Sequence, residues 1–213
     1  MNLKLKRDQI PQRKAENWRK NFNDEKKLSF NLTSPRLILK KETYKILHSE
    51  DENRIRIYLG LEKDMADGKY VLCAFAVSSF LMGSGEVYAD YETPVFKLGE
   101  KNEDYSHNTA EVIESIRRYR KWRSGELDAD NEWAAFRQYI YPNAYLFTKF
   151  ELHEIFKNQD KPEAQIDFGI SKTMNVMVYA ESKEVRSTED DSEVFNYGAL
   201  CPPICDNNSI YNS

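Results

Sequence analysis

The segment Leu37 to Leu61, LILKKETYKILHSEDENRIRIYLGL, is written twice: displaced by 109 positions it lies without a gap on Leu146 to Ile170, LFTKFELHEIFKNQDKPEAQIDFGI. Seven of the twenty-five pairs are identical: Leu37/Leu146, Lys40/Lys149, Glu42/Glu151, Ile46/Ile155, Asp51/Asp160, Ile57/Ile166 and Gly60/Gly169. Chance would supply about one or two, so the pattern reads as an internal duplication, and any fold assigned to the chain has to accommodate two copies of one unit.

Within the first copy, Lys40 to Ser49 has helical spacing that places Thr43, Ile46 and Leu47 on one face; the second copy places Leu152, Ile155 and Phe156 at the same positions. RIRIYLGLE then alternates Ile55, Ile57, Leu59 and Leu61 with Arg54, Arg56 and Tyr58, which predicts a strand with one buried face. A turn at Asp67-Gly68 leads into KYVLCAFAVSS, a strand apolar enough to be central. The second copy supplies IDFGI, a shorter turn near Ser171 to Thr173, and MNVMVYAES. Each copy closes on a third match, Val95 to Gly99 against Val194 to Gly198, and FLMGSGE from Phe80 to Glu86 reads as a loop.

The predicted fold is therefore α+β: two pseudo-symmetric repeats, each a helix plus a three-stranded antiparallel sheet, joined by a helical linker and preceded by an amino-terminal helix. Residues 1–30 form that helix and a connector, 31–100 the first repeat, 101–142 a two-helix linker, 143–200 the second repeat and 201–213 a tail. In the first of these, Ala15, Trp18 and Phe22 share a face, Pro11 suits a first turn and Asp8 is available as a cap. In the linker, Asn108-Thr109-Ala110-Glu111 resembles a capping box, Glu114 and Arg118 stand at i,i+4 spacing, and Gly125 ends the helix. Asp128 or Asp130 would cap the second linker helix, burying Trp133, Phe136 and Ile140 before Pro142. A single unit has too little apolar face to stand alone, so the copies are expected to share a core or a sheet.

A chain of 213 residues with 40% hydrophobic content, thirteen Tyr and eleven Phe can fill such a core. No apolar run approaches the roughly 18 residues of a membrane span, and MNLKLKRDQ lacks the apolar segment of a signal peptide, so no membrane insertion and a cytoplasmic location are expected. Three cysteines fit a reducing environment. The net charge of −4 is uneven: basic residues gather before residue 28 and at 117–123, acids in the last forty positions.

Three surfaces carry candidate chemistry. Arg117, Arg118, Arg120, Lys121 and Arg123 are interleaved with Tyr119 and Trp122, a pattern able to hold phosphates beside a stacking face; on a helix, however, some of these arginines must turn toward the protein. The tail Cys201-Pro202-Pro203-Ile204-Cys205 could be a plain segment packed by its prolines, a disulfide, or half of a metal site shared between chains. Glu42 and Glu151 recur near their helix starts, where they complement the dipole, and Gly60 and Gly169 recur where a backbone or large side chain is expected to pack. Cys73 reads as a small core residue. P-loop, GxGxxG, GxSxG, HExxH and CxxC signatures are absent, and no cofactor is called for.

With Trp18, the strand Arg54 to Gly60, Lys69 to Val77 and Cys201 to Cys205 in place, the chain resembles a family of small bacterial proteins of uncharacterised function. That family shares a Trp-containing amino-terminal helix, a strand ending near glycine, a lysine-led hairpin and a CPPxC tail. The resemblance implies no activity, substrate or cofactor. Duplicated packing positions without duplicated polar site residues point to a non-enzymatic interaction or scaffold protein, engaging a protein partner or itself. Nucleic-acid or phosphate binding through Arg117 to Arg123, and thiol or metal chemistry at Cys201 and Cys205, are the alternatives.

Overall fold

The computed structural model describes residues 6–29, 32–33, 36–63, 70–83, 87–127, 139–147, 149–180, 193–196, 198–202 and 204–212. The fold is α+β, with four helices among these residues and two sheets that are antiparallel apart from one two-residue strand. The predicted turn at Asp67-Gly68 and most of the second linker helix, including Trp133 and Phe136, lie outside the described residues.

The smaller sheet runs β1 (Gln9–Ile10), β11 (Val194–Phe195), β10 (Met174–Tyr179), β9 (Glu163–Ile170) and β3 (Leu37–Lys40). The larger runs β12 (Gly198–Cys201), β8 (Ala144–Phe147), β4 (Arg54–Lys63), β5 (Tyr70–Met82), β6 (Val87–Lys97) and β7 (Glu103–Asp104), with β2 (Leu32–Thr33) parallel to the start of β5. Each holds a three-stranded meander, β4-β5-β6 or β9-β10-β11, inside a wider sheet of seven or five strands instead of forming the separate three-stranded sheets expected. The strand preceding each repeated helix, however, crosses to the other sheet: β3 pairs with β9 through Leu37↔Ile166, and β8 pairs with β4 through Ile57↔Tyr145.

Period-two alternation then sorts side chains into layers. Ile55, Ile57, Leu59, Leu61, Leu72, Ala74 and Ala76 of the larger sheet meet Leu37, Leu39, Ala164, Ile166, Val176 and Val178 of the smaller in one shared core. The opposite face of the smaller sheet packs Ile10, Met177 and Val194 under Ala15 and Trp18 of α1 (Gln12–Ser29). The opposite face of the larger packs Tyr58, Cys73, Phe75, Val77 and Val95 under Val112 and Ile116 of α3 (Thr109–Ser124) and under Cys201 and Tyr211 of the tail. The order of layers is α1, sheet, sheet, then α3 with the tail.

Both recurring glycines are seats for these outer helices. A Cβ at Gly60 would stand 2.5 Å from Ser115 Oγ of α3, and one at Gly169 would stand 2.7 Å from Trp18 Cβ of α1. The requirement read from the sequence, a close neighbour at each glycine, is met by a helix in both cases.

Four expectations are corrected. First, β4 is buried on both faces: Arg56 and Tyr58 have no exposed surface, because α3 and the tail cover the side that alternation alone assigns to solvent. Second, α2 (Lys41–His48) buries Thr43, Tyr44, Leu47 and His48 while Ile46 is 52% exposed. Its counterpart α4 (Lys149–His153) continues as a π-helical turn, Glu154–Asn158, whose wider winding brings Ile155 and Phe156 inward together, so equivalent positions face differently. Third, Phe80–Met82 continue β5 instead of opening a loop. Fourth, Ile140 is exposed and extended, bridged to Thr173, not buried in a helix. In addition, α1 starts after Pro11, with Asp8 in a turn at φ 63° and not at its cap.

Candidate functional site

The basic-aromatic helix is largely consumed by packing. Tyr119 and Trp122 are buried, Tyr119 donating its hydroxyl to the Pro142 carbonyl at 3.0 Å and Trp122 meeting Tyr141 edge-on, so neither offers a stacking face. Arg118 donates to the Leu61 carbonyl (2.7 Å) and pairs with Glu114 (3.5 Å); Arg123 donates to the Tyr141 carbonyl (3.0 Å). Arg120 donates to the Tyr211 carbonyl (2.7 Å) and Asn212 Oδ1 (2.6 Å), which ties α3 to the tail. Arg117 and Lys121 remain on the exposed side.

The tail closes on itself through a Cys201–Cys205 disulfide with Cα atoms 4.8 Å apart. Cys201 has no exposed surface and Cys205 is half-buried. Among the described residues no group of three His, Cys, Asp or Glu is placed to hold a metal. Cys73 is a free buried thiol beside Ser115 Oγ (3.2 Å), pushed up to about 12 by burial first and by Glu62 second, which leaves it a poor nucleophile.

Beneath the disulfide loop lies a polar cluster that the residue pattern did not reveal. Arg56 Nε and Asp90 Oδ1 are 2.8 Å apart with both side chains essentially without exposed surface. Asp90 also accepts from Ser79 Oγ (2.6 Å) and from the Tyr58 hydroxyl. These four residues belong to β4, β5 and β6. The tail adds a second tier: the Ile204 carbonyl accepts from Arg56 Nη1 (2.6 Å), Asp206 Oδ2 accepts from the Asp90 backbone N–H (2.9 Å), and Tyr211 donates its hydroxyl to the Glu92 carbonyl. The only prior signal was two arginines in a strand; the strand character of residues 87–94, which places Asp90, carried none.

Beyond this cluster the β5–β6 hairpin runs on as an arm. The pairing of β4 with β5 stops at Arg54↔Ser79, whereas β5 and β6 continue through Phe80↔Ala89, Leu81↔Tyr88 and Met82↔Val87. The register slips between Val77 and Ser79, so the segment from Asp90 to Val95 opposes only Ser79 to Val77, an irregularity that bends the ribbon. Leu81, Met82 and Val87 at the tip are each half exposed or more, Tyr91 is exposed at the bend against Phe80, and Ile204 of the tail is exposed as well.

On β5, next to this bend, α2 docks through Ser78 Oγ, which donates to the Leu47 carbonyl. Here His48 Nδ1 is 2.9 Å from the Asn53 carbonyl, an acceptor only, so Nδ1 carries the proton and Nε2 is bare. Nε2 and the stacked Tyr44 hydroxyl are buried without a hydrogen-bond partner among the described residues. Burial pushes His48 down, against a smaller upward pull from its own carbonyl contact. Burial likewise pushes Tyr44 up to about 12. The two rings stack 4.9 Å apart on the buried side of α2. Glu42 is exposed while Glu151 is fully buried, so the recurring acids share a sequence position and not an environment.

No family model, curated protein or solved structure matches the chain. Most of the described polar groups at these surfaces bond to the protein's own backbone or form ion pairs, while Leu81, Met82 and Val87 of the arm face outward together. No described helix is long and apolar enough to cross a membrane.

Proposed function

We propose that this chain is a non-enzymatic interaction protein that self-associates through the β5–β6 arm. The observation that carries the reading is the exposure of Leu81, Met82 and Val87 on a two-stranded ribbon that has left the support of β4. An apolar tip on a projecting hairpin is costly to hydrate, and a two-fold contact sets the same tip on both sides, matching apolar surface to apolar surface. Strand addition at the β3 edge is disfavoured because Asn102 donates to the Ile38 carbonyl (2.7 Å) and accepts from the Lys40 N–H (2.8 Å), mimicking a neighbour.

The two-copy architecture belongs to the same reading. The exchange of β3 and β8 between sheets, the seating of a helix on Gly60 and on Gly169, and the stacking of Tyr44 on Phe156 across the copies (4.5 Å) support descent from a self-associating unit whose first strands were swapped. A module built by joining two copies of itself is suited to assembling further.

Sedimentation velocity over a wide concentration range tests the proposal. Weak, concentration-dependent dimerisation that disappears in Leu81→Asp with Val87→Asp is the expected result. A wild-type protein that stays monomeric throughout, with and without reductant, overturns it.

A further inference from the structure

The tail bonds to the arm at its base, and the Cys201–Cys205 disulfide shapes the segment that does so. The Cys201–Cys205 loop presents the Ile204 carbonyl to Arg56 Nη1 and leads directly to Asp206, which occupies the Asp90 N–H. Arg56 Nη2 holds the Tyr88 carbonyl (3.3 Å), and Tyr211 holds the Glu92 carbonyl. Three successive backbone groups of β6 that a neighbouring strand could use are thus held by side chains, two of them from the tail.

Two features make this cover separable from the body. The inner tier, Arg56 with Asp90, Tyr58 and Ser79, lies wholly on the sheet, so withdrawing the Ile204 carbonyl and Asp206 leaves no buried charge unpaired. The disulfide encloses only three residues, too short a loop to constrain an unfolded chain strongly, so its main effect is local shape.

We propose that the Cys201–Cys205 disulfide is a redox latch on the base of the arm: reduction by a dithiol releases the Ile204 carbonyl and Asp206 and frees the Asp90 N–H of β6. The consequence for association rests on the arm reading given above; the latch itself does not. The chemistry is thiol–disulfide exchange. Cys205 is half-buried whereas Cys201 has no exposed surface, so the attack is written at Cys205. A thiolate of the dithiol bonds to it, breaking the protein S–S bond and expelling Cys201 as a thiolate, which takes a proton in its apolar surroundings. The second thiol of the reductant then attacks the mixed disulfide, releasing Cys205 as a thiolate and leaving the reductant oxidised by two electrons. Cys201 is left as a buried thiol in the cluster that already holds the Cys73 thiol.

Amide hydrogen exchange on the full chain reads the latch directly. Dithiothreitol is expected to speed exchange at Asp90 by at least about tenfold while leaving the β4–β5 amides protected. Cys201→Ser with Cys205→Ser, without reductant, should match the reduced wild type. Unchanged exchange at Asp90 in reduced wild-type protein overturns the latch, and so does global loss of protection, which would make the disulfide a general staple. Sedimentation on the same samples separates the two ideas: fast Asp90 exchange in a protein that never associates keeps the latch and discards the arm as a dimer contact.

Discussion

Arg56 of β4 and Asp90 of β6 form a 2.8 Å ion pair across the intervening β5, with no solvent reaching the guanidinium. Two charges in a layer otherwise built from Phe75, Val77 and Val95 are tolerated because every strand around them contributes a partner. The pair ties the arm to the body and gives the tail its footing.

Breaking the pair should cost far more than removing it. Asp90→Ala is expected to lose about 3–5 kcal/mol by leaving the guanidinium buried and uncompensated. Adding Arg56→Met should recover a large part of that loss, giving a strongly non-additive double-mutant cycle in urea unfolding.

The glycine seats make a paired prediction. Gly60→Ala meets Ser115 Oγ at 2.5 Å, Phe75 at 2.8 Å and Cys73 at 2.9 Å, and Gly169→Ala meets Trp18 at 2.7 Å. Each should destabilise by about 1–3 kcal/mol through overpacking, measured as a fall in melting temperature. Ser115→Ala should relieve only part of the Gly60→Ala loss, since Phe75 and Cys73 still crowd the site.

His48 predicts a pH dependence with a definite sign. Its folded-state value lies below 6.5, so below that pH the unfolded chain binds the proton more readily than the native one. Stability is unaffected by this group above its unfolded value and declines as pH falls below 6.5. Replacing it as His48→Phe should flatten that part of the stability profile, visible as the difference between wild-type and variant unfolding curves; an unchanged slope would remove His48 as the cause.

On α3, exposure separates anchoring cations from surface ones. Arg120→Ala loses the bonds to Tyr211 and Asn212 and should cost about 1–3 kcal/mol, with faster amide exchange near the carboxyl terminus. Lys121→Ala, on the exposed side, should stay within about 0.5 kcal/mol.

Helical spacing located α3 with its Gly125 stop at φ 83°, alternation located β4, a continuous apolar run located β5, and correspondence with the first copy pointed to β9 and β10; all are properties of the chain itself. The buried faces of α2 and of β4 were read less well for a common reason. Periodicity tells which residues point the same way, not how many sides are covered, so Arg56 and Tyr58 looked solvent-facing until α3 and the tail were placed over them. Asp90 was illegible because the ribbon around it is bent and irregular, and an acid in such a segment looks like any turn acid.

What the sequence determined by itself is therefore local: runs of helix and strand and the glycines where something must pack closely, while the tail stayed open between a packed segment, a disulfide and a metal site. Tertiary structure decided which sheet each leading strand joins, which helix sits on each glycine, and that an arginine and an aspartate 34 residues apart meet out of water. Those outcomes depend on burying apolar area and satisfying charge between segments distant in sequence, energies that exist only once the layers close.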